Sequence, residues 1–188
     1  MRFTSIKDKL TSMFTMPELE PVPPKSTPDL LLPMYDWKFG SRSLKKLEGV
    51  DDRLVRVAHL ALRHSSIDFG ITCGMRTKAE QAQLVREGKS KTMNSRHLSG
   101  MAVDIVCYKG GRVTWALGDY VVAAQSFAHA ARTLDVTVRW GAAWHTTLNE
   151  TDSKQSMDDY VDLRTSQGRK PFIDGPHFEI PKRINGAG

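Results

Sequence analysis

The stretch from Ser95 to Asp104 combines side chains that can bind a metal ion. It reads Ser-Arg-His-Leu-Ser-Gly-Met-Ala-Val-Asp, so an imidazole at His97 and a carboxylate at Asp104 lie on either side of Gly100. Asp104 is the one charge in an apolar, β-branched run that is typical of a buried strand. A buried lone carboxylate is costly unless a partner compensates its charge, and a divalent cation is such a partner. His97 can reach the same ion if the chain doubles back at Ser99 and Gly100.

A second cluster near the C-terminus complements the first. Residues 174–180 read Asp-Gly-Pro-His-Phe-Glu-Ile. After the proline, the alternation of an extended chain predicts that His177 and Glu179 share one face. Phe178 and Ile180 then face the core. His177 is therefore the predicted third ligand.

Together the two clusters supply the donors of a catalytic zinc site. Two imidazoles and one carboxylate leave an open position on zinc, where a bound water has a pKa of about 7 and a carbonyl is polarised. We predict that His97, Asp104 and His177 bind zinc, and that Asp174, three residues before His177, is the general base. His145 is a second-ranked alternative ligand and an alternative oxyanion partner, because it lacks an apolar strand context.

Hydrophobic periodicity and turn residues predict the elements that position these clusters. In chain order they are a helix from Asp51 or Asp52 to His64, a strand over 67–73, a helix opened by the capping box Thr77-x-x-Glu80, a strand over 102–108, a hairpin partner from Val113, a helix over 120–134, a strand over 136–140 and a short helix near 157–164. This order predicts an α+β fold, in which a small, mostly antiparallel sheet with flanking helices carries the zinc site on one face. The long polar stretch 145–173 is interpreted as a lid or specificity loop.

The pattern Ser95-x-His97-x-x-Gly100-x-Ala102-x-Asp104, followed by Asp174-x-x-His177, resembles a known family of zinc peptidases that cut peptidoglycan stem peptides. The family comprises D-alanyl-D-alanine carboxypeptidases and L-alanyl-D-glutamate endopeptidases, and within it the chain is most similar to phage endolysins. The resemblance runs from about residue 47 to residue 181 and includes Gly-Met-Arg-Thr at 74–77 and Arg-Trp-Gly at 139–141. It implies peptidoglycan as substrate and an endopeptidase activity, with carboxypeptidase activity as the alternative.

The resemblance also implies roles for residues around the metal. Arg76, where a strand gives way to a helix, either binds the substrate carboxylate or the oxyanion, or forms a salt bridge or lies exposed. Ser95 and Glu179 are expected to orient the ligands. Trp140 and Trp144 are expected to border the substrate groove, although a core role for one of them is an equal alternative. The family's Trp-Gly-Gly-x-Trp reads Trp-Gly-Ala-Ala-Trp here, with Ala142 in place of a glycine.

Composition limits the remaining possibilities. The chain has 188 residues, of which 40% are hydrophobic and 26% charged, as in a soluble globular protein. We expect an N-terminal arm with a proline-rich linker over 1–46 and one zinc peptidase domain over 47–188. Cys73 and Cys107 lack metal-site spacing, so both are expected to be buried free thiols.

Charge and the N-terminus bear on partners and location. The net charge of +6 comes from dispersed Lys and Arg, so we expect no nucleic-acid partner, and attraction to an anionic cell envelope and simple solubility remain alternatives. No signal peptide or transmembrane segment is evident. We expect a monomer that is synthesised soluble in the host cytoplasm and reaches the cell wall after holin-mediated release. A non-catalytic, zinc-containing wall-binding protein is the remaining alternative, which the intact Asp174 disfavours.

Overall fold

A computed structural model describes residues 33–182 of the chain. Most of the predicted N-terminal arm, residues 1–32, lies outside the described residues, and the boundary between arm and domain stays a prediction. The described elements are α1 (Ser41–Leu47), α2 (Asp52–His64), β1 (Asp68–Cys73), α3 (Lys78–Arg86), a 3₁₀ helix (Arg96–Ser99), β2 (Ala102–Lys109), β3 (Arg112–Thr114), α4 (Leu117–Thr133), β4 (Arg139–Trp140), α5 (Ser153–Ser166) and β5 (His177–Glu179).

The five strands form one open sheet in which every pairing is antiparallel. The strand order is β1-β2-β5-β4, and β3 pairs with β2 as a hairpin partner. Strand β2 is central, because it pairs with β1, β3 and β5. The prediction of an α+β fold with a small antiparallel sheet is confirmed.

Aromatic side chains pack the helices against one face of this sheet. The ring of Phe127 on α4 lies 5.5 Å from Phe69 of β1 and 4.0 Å from Phe178 of β5. Val103 and Ile105 of β2 belong to the same buried core. Because side chains alternate along a strand, Asp104 lies on the opposite face. The helices thus cover one face and leave the other to Asp104 and the predicted ligands.

Local signals set the start of two helices and the turn before β2. The Asp51 carboxylate accepts a hydrogen bond from the backbone N–H of Arg53 at the start of α2. Thr77 and Glu80 form the predicted capping box of α3. Gly100 ends the 3₁₀ helix with a φ of 67°, a left-handed conformation that glycine adopts without strain. This turn is the predicted reversal between His97 and Asp104.

Two of the predicted elements differ in length from the prediction. The predicted strand over 136–140 is only two residues long, because the Asn149 side chain bonds the backbone groups of Val136 and Val138 that a neighbouring strand would otherwise bond. The helix predicted near 157–164 extends over fourteen residues, and its N-terminus is capped by Asp152. Among the described residues, no helix is long and apolar enough to span a membrane.

Candidate metal centre

The sheet register brings three side chains into one row. Asp104 on β2 is opposite Cys73 of β1 on one side and His177 of β5 on the other. Directly opposed residues of antiparallel strands point to the same face. The register of β1 shifts between Ile71 and Cys73, so that Cys73, and not Thr72, is opposite Asp104. Such irregularities redirect side chains beside functional sites.

His97 approaches this row from the 3₁₀ helix. Its Nδ1–H donates to the carbonyl of Gly74 over 2.7 Å, and this bond leaves Nε2 facing Asp104 and His177. The ring is 2% exposed. Gly74 follows β1 directly and could not carry a side chain, because a Cβ there would lie 1.9 Å from the carbonyl oxygen of Lys46. The close packing of α1 and this turn therefore fixes the carbonyl that orients His97.

Three atoms that could bind a metal ion, one from each predicted ligand, lie within hydrogen-bonding distance of one another. His97 Nε2 lies 3.2 Å from Asp104 Oδ1 and 3.3 Å from His177 Nδ1, and His177 Nδ1 lies 3.0 Å from the same carboxylate oxygen. His177 Nε2 lies 2.9 Å from Glu179 Oε2, to which it donates when protonated. In each histidine the second ring nitrogen is thus occupied by an oxygen acceptor. This arrangement presents His97 Nε2 and His177 Nδ1 toward Asp104.

The electrostatics of the metal-free protein reflect this crowding. Burial opposes the charged form of His97, but hydrogen bonds with Asp104 and Cys73 outweigh it and raise its pKa to about 10. Burial also opposes the charged form of His177, whose pKa is raised to about 9 by Asp104 and Glu179. Although burial disfavours its anion, Asp104 has a pKa well below the usual range, because both histidines hydrogen-bond it. The protonation state of each of these three residues therefore depends on that of the other two.

Asp174 lines the same cavity, which has a volume of about 760 Å³. Burial raises the pKa of its carboxyl group. The segment that carries Asp174 and His177 is held to the end of β4, because the Gly141 N–H donates to the His177 carbonyl over 2.8 Å and the Asp174 N–H donates to the Gly141 carbonyl over 2.9 Å. Gly141 is needed there, since a Cβ would lie 2.5 Å from the Asp174 carbonyl oxygen.

Arg76 lies beside the row and makes three side-chain contacts. Its Nη2 donates to Cys73 Sγ over 3.1 Å and lies 3.4 Å from Asp104 Oδ2, and its Nη1 donates to Gln81 Oε1 over 2.7 Å. The salt bridge considered from the sequence is present, and the guanidinium also lines the cavity. Gln81 is fully buried and was not singled out by the sequence patterns.

Glu179 is 3% exposed and connects His177 to Arg139. Its Oε2 accepts from His177, and its Oε1 forms an ion pair with Arg139. The pKa of Glu179 is lowered although burial opposes its anion, because His177 and Arg139 both stabilise it. Ser95 precedes the 3₁₀ helix and lines the cavity, and its hydroxyl makes no hydrogen bond to the described residues.

The two tryptophans occupy different environments. Trp140 is fully buried, donates from Nε1 to the Gly175 carbonyl over 2.7 Å, and packs in the core. Trp144 lines the cavity and stacks on His177 with ring centroids 5.4 Å apart. His145 is exposed and stacks on Tyr160 outside the residues that line this cavity. Ala142 has an ordinary negative φ, so the missing family glycine causes no backbone strain.

Cys73 is a further residue near the centre that the sequence did not assign to it. Both cysteines are free thiols, as expected, but Cys73 is only half-buried. Cys73, His97 and Asp104 lie close enough together to hold a metal ion. The pKa of the thiol is lowered even though burial opposes ionisation, because His97 and Arg76 contact the sulfur. The position of Cys73 just before Gly-Met-Arg-Thr was the only available sequence signal.

Comparisons of the sequence and of the structure with known proteins find L-alanyl-D-glutamate peptidases. A family model described as phage L-alanyl-D-glutamate peptidase matches residues 35–180. The L-alanyl-D-glutamate peptidase of Escherichia phage T5 is 35% identical over 148 residues, which cover 77% of this chain and 98% of that protein. The L-alanyl-D-glutamate peptidase of Listeria phage A118 is 36% identical over 110 residues, which cover 56% of this chain and 38% of that protein. The crystal structure of the Serratia marcescens L-Ala D-Glu endopeptidase ChiX is similar with a TM-score of 0.60 and 34% identity, covering 81% of this chain and 96% of that one.

Proposed function

The chain belongs to the phage L-alanyl-D-glutamate peptidase family, and on that premise we propose that it hydrolyses the L-alanyl–D-glutamate bond of peptidoglycan stem peptides with a zinc ion held by His97, Asp104 and His177. The observation that carries this proposal is that His97 Nε2, Asp104 Oδ1 and His177 Nδ1 lie 3.0–3.3 Å apart, while the other ring nitrogen of each histidine is hydrogen-bonded to an oxygen. The endopeptidase reading is favoured over the carboxypeptidase and non-catalytic alternatives, because the relatives are named as peptidases of this bond.

The donor spacing fits a tetrahedral zinc ion. Ligand bonds of about 2.0–2.2 Å place neighbouring ligand atoms of a tetrahedron about 3.3–3.6 Å apart. The distance from His97 Nε2 to His177 Nδ1, 3.3 Å, lies in this range, and the distances of these nitrogens to Asp104 Oδ1, 3.2 and 3.0 Å, are slightly shorter, as expected where hydrogen bonds replace the metal. Cys73 fits less well, since its sulfur lies 3.8 Å from His97 Nδ1, a nitrogen that already donates to the Gly74 carbonyl.

The surrounding residues supply the proton transfers and the orientation. Bound zinc would supply a water of lowered pKa and an electrophile for the scissile carbonyl. Asp174 accepts a proton from the attacking water and returns it to the leaving amine, a role that its raised pKa favours at neutral pH. Arg76 stabilises the developing oxyanion or a substrate carboxylate from the edge of the cavity. Glu179 holds His177 in the tautomer that presents Nδ1.

The route to the substrate is part of the proposal. We place synthesis in the host cytoplasm and action on the cell wall after release by a holin, as the resemblance to endolysins implies. The predicted monomer and the attraction of the basic surface to an anionic envelope belong to the same hypothesis.

Two substitutions separate metal binding from chemistry. His97→Ala removes a ligand, so zinc content and turnover of purified peptidoglycan should fall together. Asp174→Ala should retain zinc but slow turnover by about 100-fold or more, because general base catalysis is lost. Asp162→Ala is the matched control, since this aspartate is exposed on α5 outside the cavity. Near-wild-type turnover by Asp174→Ala would reject it as the base, and loss of zinc in that variant would make it a ligand.

A further inference from the structure

The cavity around the metal centre carries more positive than negative charge. Its lining includes six Lys or Arg side chains and three Asp or Glu side chains. Three of the cations form ion pairs, namely Arg76 with Asp104, Arg139 with Glu179, and Lys89 with Glu87. The other three, Lys91, Arg96 and Lys182, pair with no carboxylate among residues 33–182. We call these three residues the cationic rim.

Arg96 and Lys182 each form hydrogen bonds to the segment that carries the other. Arg96 donates from Nε and Nη2 to the Ile180 carbonyl over 3.0 and 2.8 Å, so its charge meets only a neutral acceptor. Lys182, two residues after Ile180, donates to the Asn94 side chain over 3.2 Å. Their positive charges therefore lie at the start of the 3₁₀ helix and on the chain that follows β5.

Lys91 lies on the same segment. Its ammonium is 4.6 Å from the ring centroid of Phe172, and Phe172 stacks on Trp144 with centroids 6.2 Å apart. Trp144 in turn stacks on His177. A cation over an aromatic ring is attracted to the ring face, and because the ring is neutral the positive charge is not cancelled. Lys91 is thereby connected to the metal centre by one line of stacked side chains.

The buried amide of Gln81 positions the segment that carries Lys91. Its Nε2 donates to Ser90 Oγ over 2.8 Å and to the Thr92 carbonyl over 2.6 Å, on either side of Lys91. Its Oε1 accepts from Arg76. One fully buried side chain therefore holds both the segment around Lys91 and the arginine beside the metal centre in place.

We infer that the cationic rim binds the free carboxylates of the peptide that follows the scissile bond, an inference that rests on the proposed function. On the acyl side of an L-alanyl–D-glutamate bond, the alanine is joined to its sugar through an amide and carries no charge. The glutamyl side carries the free carboxylate of glutamate and the terminal carboxylate of the stem. Only that side complements three uncompensated cations, which Lys91, Arg96 and Lys182 supply as charge-assisted donors. The rim thus selects free carboxylates over carboxamides and sets the direction of the bound peptide.

Two synthetic stem tetrapeptides with an acylated N-terminus test this inference. One carries free carboxylates, and the other carries carboxamides at the glutamate and C-terminal positions. The zinc-loaded wild-type protein should cleave the acid form with a kcat/KM about tenfold higher. The double variant Lys91→Met/Lys182→Met should lose this preference through a raised KM on the acid form, with kcat nearly unchanged.

Lys89→Met is the matched control, because Lys89 lines the same cavity but is paired with Glu87. It should keep the preference for the acid form. Equal cleavage of both peptides by the wild-type protein would overturn the inference, and so would a double variant that keeps the preference or a Lys89→Met variant that loses it. Failure of the zinc-loaded protein to cleave either peptide between alanine and glutamate would instead contradict the proposed function.

Discussion

Gly141→Ala tests whether the end of β4 sets the geometry of the metal centre. The added Cβ would lie 2.5 Å from the Asp174 carbonyl oxygen and 3.0 Å from the Cβ atoms of Asp174 and His177. Two backbone hydrogen bonds hold the same residues to Gly141, so the segment cannot move away without weakening them. The substitution should therefore displace the proposed base and a proposed ligand together.

The size of the effect follows from the contact distance. Cβ atoms are essentially never found within 3.0 Å of such an atom, so the contact at 2.5 Å requires a shift of at least about 0.5 Å. Overpacking of this kind costs about 1–3 kcal/mol of unfolding free energy. A misplacement of about 1 Å at a reacting group can cost about 100-fold in rate, so we expect turnover to fall about 10- to 100-fold.

Thermal melting, zinc content and turnover of purified peptidoglycan would be measured on the same preparations. Gly118→Ala is the control, because Gly118 lies in α4 with no atom within 4 Å of an added Cβ and without a positive φ. It should leave activity unchanged and stability unchanged or slightly higher. A Gly141→Ala protein with wild-type turnover at full zinc loading would refute the argument that this contact positions Asp174 and His177.

Three further predictions address the ligands and the charge. Cys73→Ser should retain zinc while His177→Ala loses it, and the opposite result by metal analysis would make Cys73 the ligand. In chelator-treated protein, the pKa values of His97 and His177 are raised to about 10 and 9. Their protonated side chains therefore stabilise the folded state fully below about pH 6.5, and this contribution is lost as the pH rises through 9 to 10. Melting temperatures should therefore fall over that range without zinc and stay nearly constant with zinc, whereas a flat profile without zinc would contradict the coupling. If the basic surface attracts the protein to the anionic envelope, activity on whole cell walls should fall steeply between low and moderate salt, while activity on a small stem peptide changes little. Equal salt sensitivity on both substrates would exclude this attraction.

The sequence predicted the elements of the site better than their relative positions. Strand alternation predicted that His177 and Glu179 share a face while Phe178 enters the core, and this is the observed arrangement. The turn at Gly100 was predicted from its residue type, since few residues other than glycine adopt its φ. Both are local properties, set by a few consecutive residues.

Long-range properties could not be predicted in this way. Trp140 and Trp144 belong to one short motif, yet one is fully buried in the core and the other lines the cavity. Their difference depends on where the chain leaves β4, because Trp140 pairs with Phe178 across the sheet and Trp144 lies beyond the turn. Gln81 is similar, since a glutamine within a helix gives no sign that its amide will be fully buried between Arg76 and the segment around Thr92.

Cys73 illustrates the physical reason most directly. An ideal register continued from the Ile71–Ile105 pair would place Thr72 opposite Asp104 and turn the cysteine toward the helices. The register shift at the end of β1 places the thiol beside the site instead, where it accepts a hydrogen bond from Arg76. Strand periodicity describes each strand separately, whereas the row of side chains at the metal centre depends on how three strands align. The choice between a zinc site with Cys73 and one with His177 is therefore a question of register, which is why it needs metal analysis of single variants.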